Sequence, residues 1–227
     1  MEPSSYHFLP LAPLFYLALV LLLIAAVTLI EVGIVSYASE KMGIRRGLVY
    51  LLLFLSLVGS YVNIPVAEIP GERVVSGMEV QSFGIRYWVP VVREHQGTIV
   101  ALNLGGAVIP TLVSLYLLVK NRLYLPGLAG VAIVSAILFF MAKPTPGLGI
   151  TVPVFFPPLI TALVALLLAP KSAAPLAYIA GTLGTLIGAD LLHLGALQGM
   201  HAPVASIGGA GTFDGIFMIG LTAMLLA

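Results

Sequence analysis

Seven long apolar runs, separated by short polar connections, constrain this chain more than any other feature. They lie at about 9–36, 47–63, 97–119, 127–142, 154–169, 175–195 and 208–227. In a bilayer each run can satisfy its own backbone as a helix, and lipid covers the side chains. Hydrophobic residues make up 60% of the chain and charged residues 8%, against about a quarter in soluble domains. The pattern predicts an all-α fold: one polytopic transmembrane bundle over residues 1–227, with about seven spans. The first run lacks a basic leader and reads as a retained span rather than a cleaved signal peptide. A net charge of +1 gives no nucleic-acid footprint, and the absence of cysteine excludes disulfides and thiolate chemistry. The lipid bilayer is the expected partner, and no cofactor is implied.

Basic residues set the expected orientation. Lys41, Arg45, Arg46, Lys120, Arg122 and Lys171 follow the first, third and fifth runs and so fall on one side, read as cytoplasmic. The N-terminus is then extracytoplasmic and the C-terminus cytoplasmic. The one sizeable polar insertion, about 64–96, lies between the second and third runs. Within it RVVSGMEV and GIRYWVPV alternate around QSFG, the pattern of a β-hairpin. That hairpin reads as an extracytoplasmic cap over the bundle or as a substrate-gating lid.

Only two aspartates occur, Asp190 and Asp214, and both lie in apolar segments. A carboxylate inside a bilayer is costly and is a functional-site candidate. The midpoint between the two, Ala202, falls in the polar connection HLGALQGMHAPVASIGG. A turn there places both at one depth, roughly 9 Å inside. Two adjacent carboxylates share a proton, so one serves as acid and the other as base around a water. Glycines flank both, and Gly211 and Thr212 precede Asp214. Alternatives stay open: a structural hydrogen-bonded pair, a helix cap, or a site for a proton, cation or solute. His193 and His201 extend the set to a weak metal-ligand candidate with no strong motif spacing.

Three further features could line such a site. Asn103, in TIVALNLGGAVIP, sits about six residues into the third run and could orient a carboxyl group, or simply join helices. Pro110 should kink that run. The segment 144–158, PTPGLGITVPVFFPP, is too rich in proline for a helix and reads as extended or re-entrant, with Val152 and Pro153 positioned to hold a substrate strand. Glu31 should lie about a turn and a half from the cytoplasmic end of the first span. A weak echo between Pro110-TLVSLYLLVKN and Pro158-LITALVALLLAPK suggests a repeated hairpin.

The ensemble VNIP, NLGGAVIP, PTPGLGI, AYIAGTLGTLIGADLLHL and SIGGAGTFDGIF resembles a family of prokaryotic multi-span membrane proteins classed as a domain of unknown function, DUF1614-like. That resemblance implies a polytopic membrane protein and no particular activity. Locally, ADLLHL and GAGTFDGIF are similar to the two aspartate motifs of presenilin-type and signal-peptide-peptidase-type intramembrane proteases. Phe213 stands where those enzymes have glycine, and no Pro-Ala-Leu follows Asp214. This second resemblance implies an aspartyl peptidase acting on a transmembrane peptide, with Asp190 and Asp214 catalytic. A proton- or cation-coupled transporter using the same carboxylates is the alternative, and a structural subunit the third reading.

Overall fold

The structure, a computed structural model, describes residues 13–69, 73–82, 85–94, 97–145, 149–153, 155–199, 204–209 and 215–227. It is mostly helical. Helix α1 (Pro13–Met42) runs for 30 residues. It ends at Gly43, whose φ of 64° permits a left-handed stop. There Ile44 N–H bonds the Ser39 carbonyl (3.0 Å) and Gly43 N–H bonds that of Glu40 (3.2 Å). Helix α2 (Arg46–Gly59) then departs at 110° to the end of α1. Next come strands β1 (Asn63–Ile69), β2 (Arg73–Ser82), β3 (Ile85–Glu94) and β4 (Thr98–Asn103). A π-helical turn (Leu104–Val108) leads into α3 (Ile109–Lys120), which is followed by α4 (Tyr124–Met141). Strands β5 (Lys143–Thr145) and β6 (Gly149–Thr151) precede α5 (Phe156–Leu168). Helix α6 (Ala173–Thr185) continues as a π turn (Leu186–Asp190) and a 3-10 segment (Leu191–Gly199). Strand β7 (Val204–Ile207) and helix α7 (Gly215–Leu226) complete the described chain.

Seven spans of full length are not confirmed. Among the residues whose side chains are described, two helices are long and apolar enough to cross a membrane, Tyr124–Met141 and Pro170–Ala196. The bent pair Glu31–Met42 and Arg46–Gly59 makes a third if counted as one. Helices α3, α5 and α7 have 12, 13 and 12 residues. Alone they rise about 18–20 Å, and α3 together with its π turn (Leu104–Lys120) about 25 Å, short of a hydrocarbon core of about 30 Å.

The fold is also not all-α. Strands β1, β4 and β7 form a sheet in the order β1-β4-β7, antiparallel then parallel. Residues 98–103 therefore start the expected third span as a strand, and the expected turn before 208 contains another. TIVALN is a short apolar run, which cannot be assigned to helix or strand by pattern alone. Pro110 is the second residue of α3 within a continuous helical run from Leu104 to Lys120, and that run changes from π to α immediately before it, so the helix is irregular where the proline was expected to disturb it. The expected hairpin does form, with Arg73 opposite Glu94 and Ser82 opposite Ile85.

Helix α6 is the hub. Nearly all of it is buried, and it is built from small residues. A methyl group added at Gly181 would meet the Gly220 backbone of α7 at 2.9 Å, and one at Gly184 would meet the Val134 side chain of α4 at 2.6 Å. Small residues at such crossings let helices pack where lipid removes the hydrophobic driving force. Large apolar side chains point outward instead: Leu125, Phe140, Phe155 and Leu167 are each more than 70% exposed. Small residues inside and large ones outside are the arrangement of a membrane-embedded surface.

The bundle has two distinct ends. At one, Met42, Ile44, Leu117, Leu123, Ala169 and Ala174 join a single apolar cluster. This gathers the connections that carry Lys41, Arg45, Arg46, Lys120, Arg122 and Lys171, as the charge pattern predicted. The sheet, the Gly-rich turns and Asp190 occupy the other end.

Candidate functional site

At the sheet end a buried polar junction ties three strands together. Asn103 ends β4 and is fully buried. Its Nδ2 donates to the Ser60 carbonyl (2.6 Å) and to Asn63 Oδ1 (3.1 Å). Its Oδ1 accepts from the Gly106 N–H (2.7 Å), capping the π turn. Asn63, on β1, also accepts from Ser206 Oγ of β7 (2.5 Å). The Asn103 amide is thus engaged with neighbouring backbone and with Asn63, the joining role among those expected of it. Asn63 and Ser206 were missed as site residues, although they lie within the segments VNIP and SIGG.

Glycines allow this junction to close. A methyl group at Gly105 would overlap the Ser56 carbonyl, and one at Gly106 would overlap the Gly208 carbonyl. Ser56 Oγ donates to the Gly105 carbonyl. Gly208 and Gly209 have φ of 88° and 87°, a region that side chains rarely adopt. The chain leaves the sheet at these two glycines, ahead of the segment that contains Asp214.

Asp190 is half-buried and ends the π turn that follows α6. Local widening of this kind recurs at functional sites. The turn lies hard against α4, because a methyl group at Gly188 would overlap Ser135 backbone. His193 follows in the 3-10 segment. Its Nδ1 is 3.1 Å from the Gly188 carbonyl oxygen, so that nitrogen carries a proton. Its ring stacks on Phe139 at 4.8 Å between centroids. His193 therefore binds a carbonyl at the change of helix type, and in the neutral ring only Nε2 remains to accept. Among the described residues no three of His, Cys, Asp and Glu are grouped to hold a metal. Asp214, Gly211, Thr212 and His201 lie outside the described residues.

The segments that carry the two aspartates meet in one apolar cluster. Leu186, four residues before Asp190, and Ile216, two after Asp214, pack with Val100, Ala107 and Ile207. Ile150 of β6 joins the same cluster. Within the segment expected to be non-helical, Lys143–Thr145 and Gly149–Thr151 pair as a short hairpin, whereas Phe156–Pro158, expected outside a helix, form the first turn of α5, where proline needs no N–H partner. Val152 is half-buried against Val134, Leu138 and Ala180, and Pro153 is exposed. An open apolar cleft of about 220 Å³ runs between Leu102, Val108, Leu112 and Leu186. Glu31 is exposed on α1, and that helix continues 11 residues beyond it, so it lies about three turns from the helix end rather than one and a half.

A family model described as "Protein of unknown function (DUF1614)" matches residues 57–226, three quarters of the chain. Neither the curated proteins nor the solved structures yield a match. The likeness to intramembrane aspartyl proteases accordingly rests on the two quoted motifs alone.

Proposed function

The chain belongs to the DUF1614 family, and from that premise and the geometry above we propose an integral membrane protein whose working centre is its sheet-bearing end. The reading favoured is an intramembrane aspartyl peptidase with Asp190 and Asp214 as a proton-sharing pair. The observation that supports it is that Leu186 and Ile216, near the two aspartates in sequence, belong to one apolar cluster. The ionised carboxylate takes a proton from water as the water attacks the scissile carbonyl carbon. The protonated partner donates to the carbonyl oxygen. Collapse of the tetrahedral adduct breaks the C–N bond, and the nitrogen leaves with a proton from the dyad.

An extended substrate suits this end. Residues 149–151 are already a strand, and Ile150 packs on the cluster. Backbone pairing with such a segment would bind peptide with little dependence on sequence. The basic end would face the cytoplasm, with the N-terminus extracytoplasmic and the hairpin β2–β3 on the extracytoplasmic side.

The test is cleavage of a transmembrane reporter peptide by the reconstituted protein. Asp190→Asn and Asp214→Asn should each abolish it while the protein stays folded. If both variants retain cleavage, or if the native protein shows none, the peptidase reading fails. Proton or cation flux in sealed vesicles that disappears with the same two variants would establish the transporter reading instead.

A further inference from the structure

The basic end is itself a binding surface. Six cationic side chains, Lys41, Arg45, Arg46, Lys120, Arg122 and Lys171, come from three connections and are all exposed. A single acidic side chain, Glu40, stands among them in the described chain, and it pairs with Arg46 at 3.4 Å. The remaining charge is uncompensated.

Their placement is fixed rather than diffuse. Lys120 Nζ donates to the Gly43 carbonyl and so ties the end of α3 to the α1–α2 turn. Lys41 Nζ donates to the Ala227 carbonyl at 3.4 Å and ties the end of α1 to the end of α7. Each ammonium also lies over a tyrosine ring on its own helix: Lys41 over Tyr37 at 5.3 Å and Lys120 over Tyr116 at 5.5 Å. Both rings are nearly half exposed. Exposed tyrosines beside cations, directly above a lipid-facing apolar wall, form the layer that meets phospholipid headgroups.

We propose that this end binds anionic phospholipid headgroups of the leaflet it faces, with Arg45, Arg122 and Lys171 as the principal phosphate contacts. Lys41 and Lys120 are partly committed to backbone carbonyls and Arg46 to Glu40. The other three cations carry no such bond among the described residues. Charge complementarity selects the ligand: a phosphodiester of net negative charge is attracted, and a zwitterionic headgroup gains much less. This inference requires only that the protein resides in a membrane and does not depend on the peptidase reading.

The experiment is native mass spectrometry of the full chain in detergent, titrated with phosphatidylglycerol or phosphatidylcholine. Phosphatidylglycerol should be retained at least about tenfold better, and the preference should fall with added salt. The triple variant Arg45→Gln/Arg122→Gln/Lys171→Gln should lower that affinity on the order of a hundredfold, about fivefold per cation. The charge-keeping variant Arg45→Lys/Arg122→Lys/Lys171→Arg should retain it, which separates lost charge from lost fold. Lys143→Gln, at the opposite end, should change nothing. Equal retention of the two lipids would overturn the proposal, as would equal behaviour of the charge-removing and charge-keeping variants. Displacement of the lipid by inorganic phosphate alone would also overturn it, because the site would then recognise a free anion.

Discussion

The two ends of this molecule solve opposite problems. The basic end closes with α-helices, a 3-10 turn (Pro170–Ser172), left-handed backbone at Gly43 and Arg122, and exposed cations. The sheet end closes with strands, π and 3-10 turns, glycine-to-backbone contacts and a fully buried asparagine. The first end carries its irregular backbone at exposed positions, Gly43, Arg122 and Pro170, and should tolerate change. The second holds irregular backbone within a largely apolar protein, where each buried unsatisfied N–H or C=O costs several kcal/mol. Such backbone persists only when neighbours satisfy it, and here Asn103, Asn63, Ser60 and Ser206 do so. Irregularity of this kind gathers where binding and chemistry occur, which is why the sheet end is the one assigned the working centre.

The comparison can be broken by mutation. The largest effect should come from Gly106→Val. Its Cβ would overlap the Gly208 carbonyl, backbone against backbone, so no side chain can yield. A loss of about 3 kcal/mol or more is expected, read as a collapse of thermal stability in detergent. Asn103→Leu should follow, at about 2–4 kcal/mol, because it leaves the Ser60 carbonyl and the Gly106 N–H unmatched. Gly188→Ala forces a methyl group into Ser135 backbone and should cost about 1–3 kcal/mol. The same variant should disturb the π turn and weaken any activity that depends on Asp190. At the other end, Arg46→Gln removes an exposed ion pair and should shift stability by no more than about 0.5 kcal/mol. If Arg46→Gln proves as damaging as Asn103→Leu, the contrast between the ends is wrong.

The absence of cysteine sharpens the same contrast topologically. Arg122→Cys and Lys143→Cys each introduce a single thiol at opposite ends of α4. An impermeant maleimide applied to intact cells should label Lys143→Cys and leave Arg122→Cys untouched until the membrane is opened. The reverse pattern would invert the proposed orientation.

Legibility from sequence followed the same division. The basic end was readable because charge counts do not depend on local geometry, and all six cations are where the pattern put them. The β2–β3 hairpin was readable from alternation. Strand β4 was not, because TIVALN is apolar on both faces and merges with the helix that follows it. Nor was β7, whose four residues sit in a polar connection and are held by pairing with β4, a contact about 100 residues away in sequence. The role of Asn103 depended on that sheet and could not be resolved without it. Asp190 was readable as an outlier, since a carboxylate in an apolar run is conspicuous. The π turn that ends at Asp190 lies where Gly188 packs on α4, and periodicity encodes neither.

The most direct test of the central claim is the separation of the Asp190 and Asp214 carboxyl groups, measured by cryo-electron microscopy of the protein in a lipid nanodisc. A proton-sharing pair requires the two groups within about 5 Å, or bridged by one water, and that is the predicted result. A separation beyond about 10 Å, with each carboxyl held by its own partners, would contradict the shared-site account and return both aspartates to structural roles.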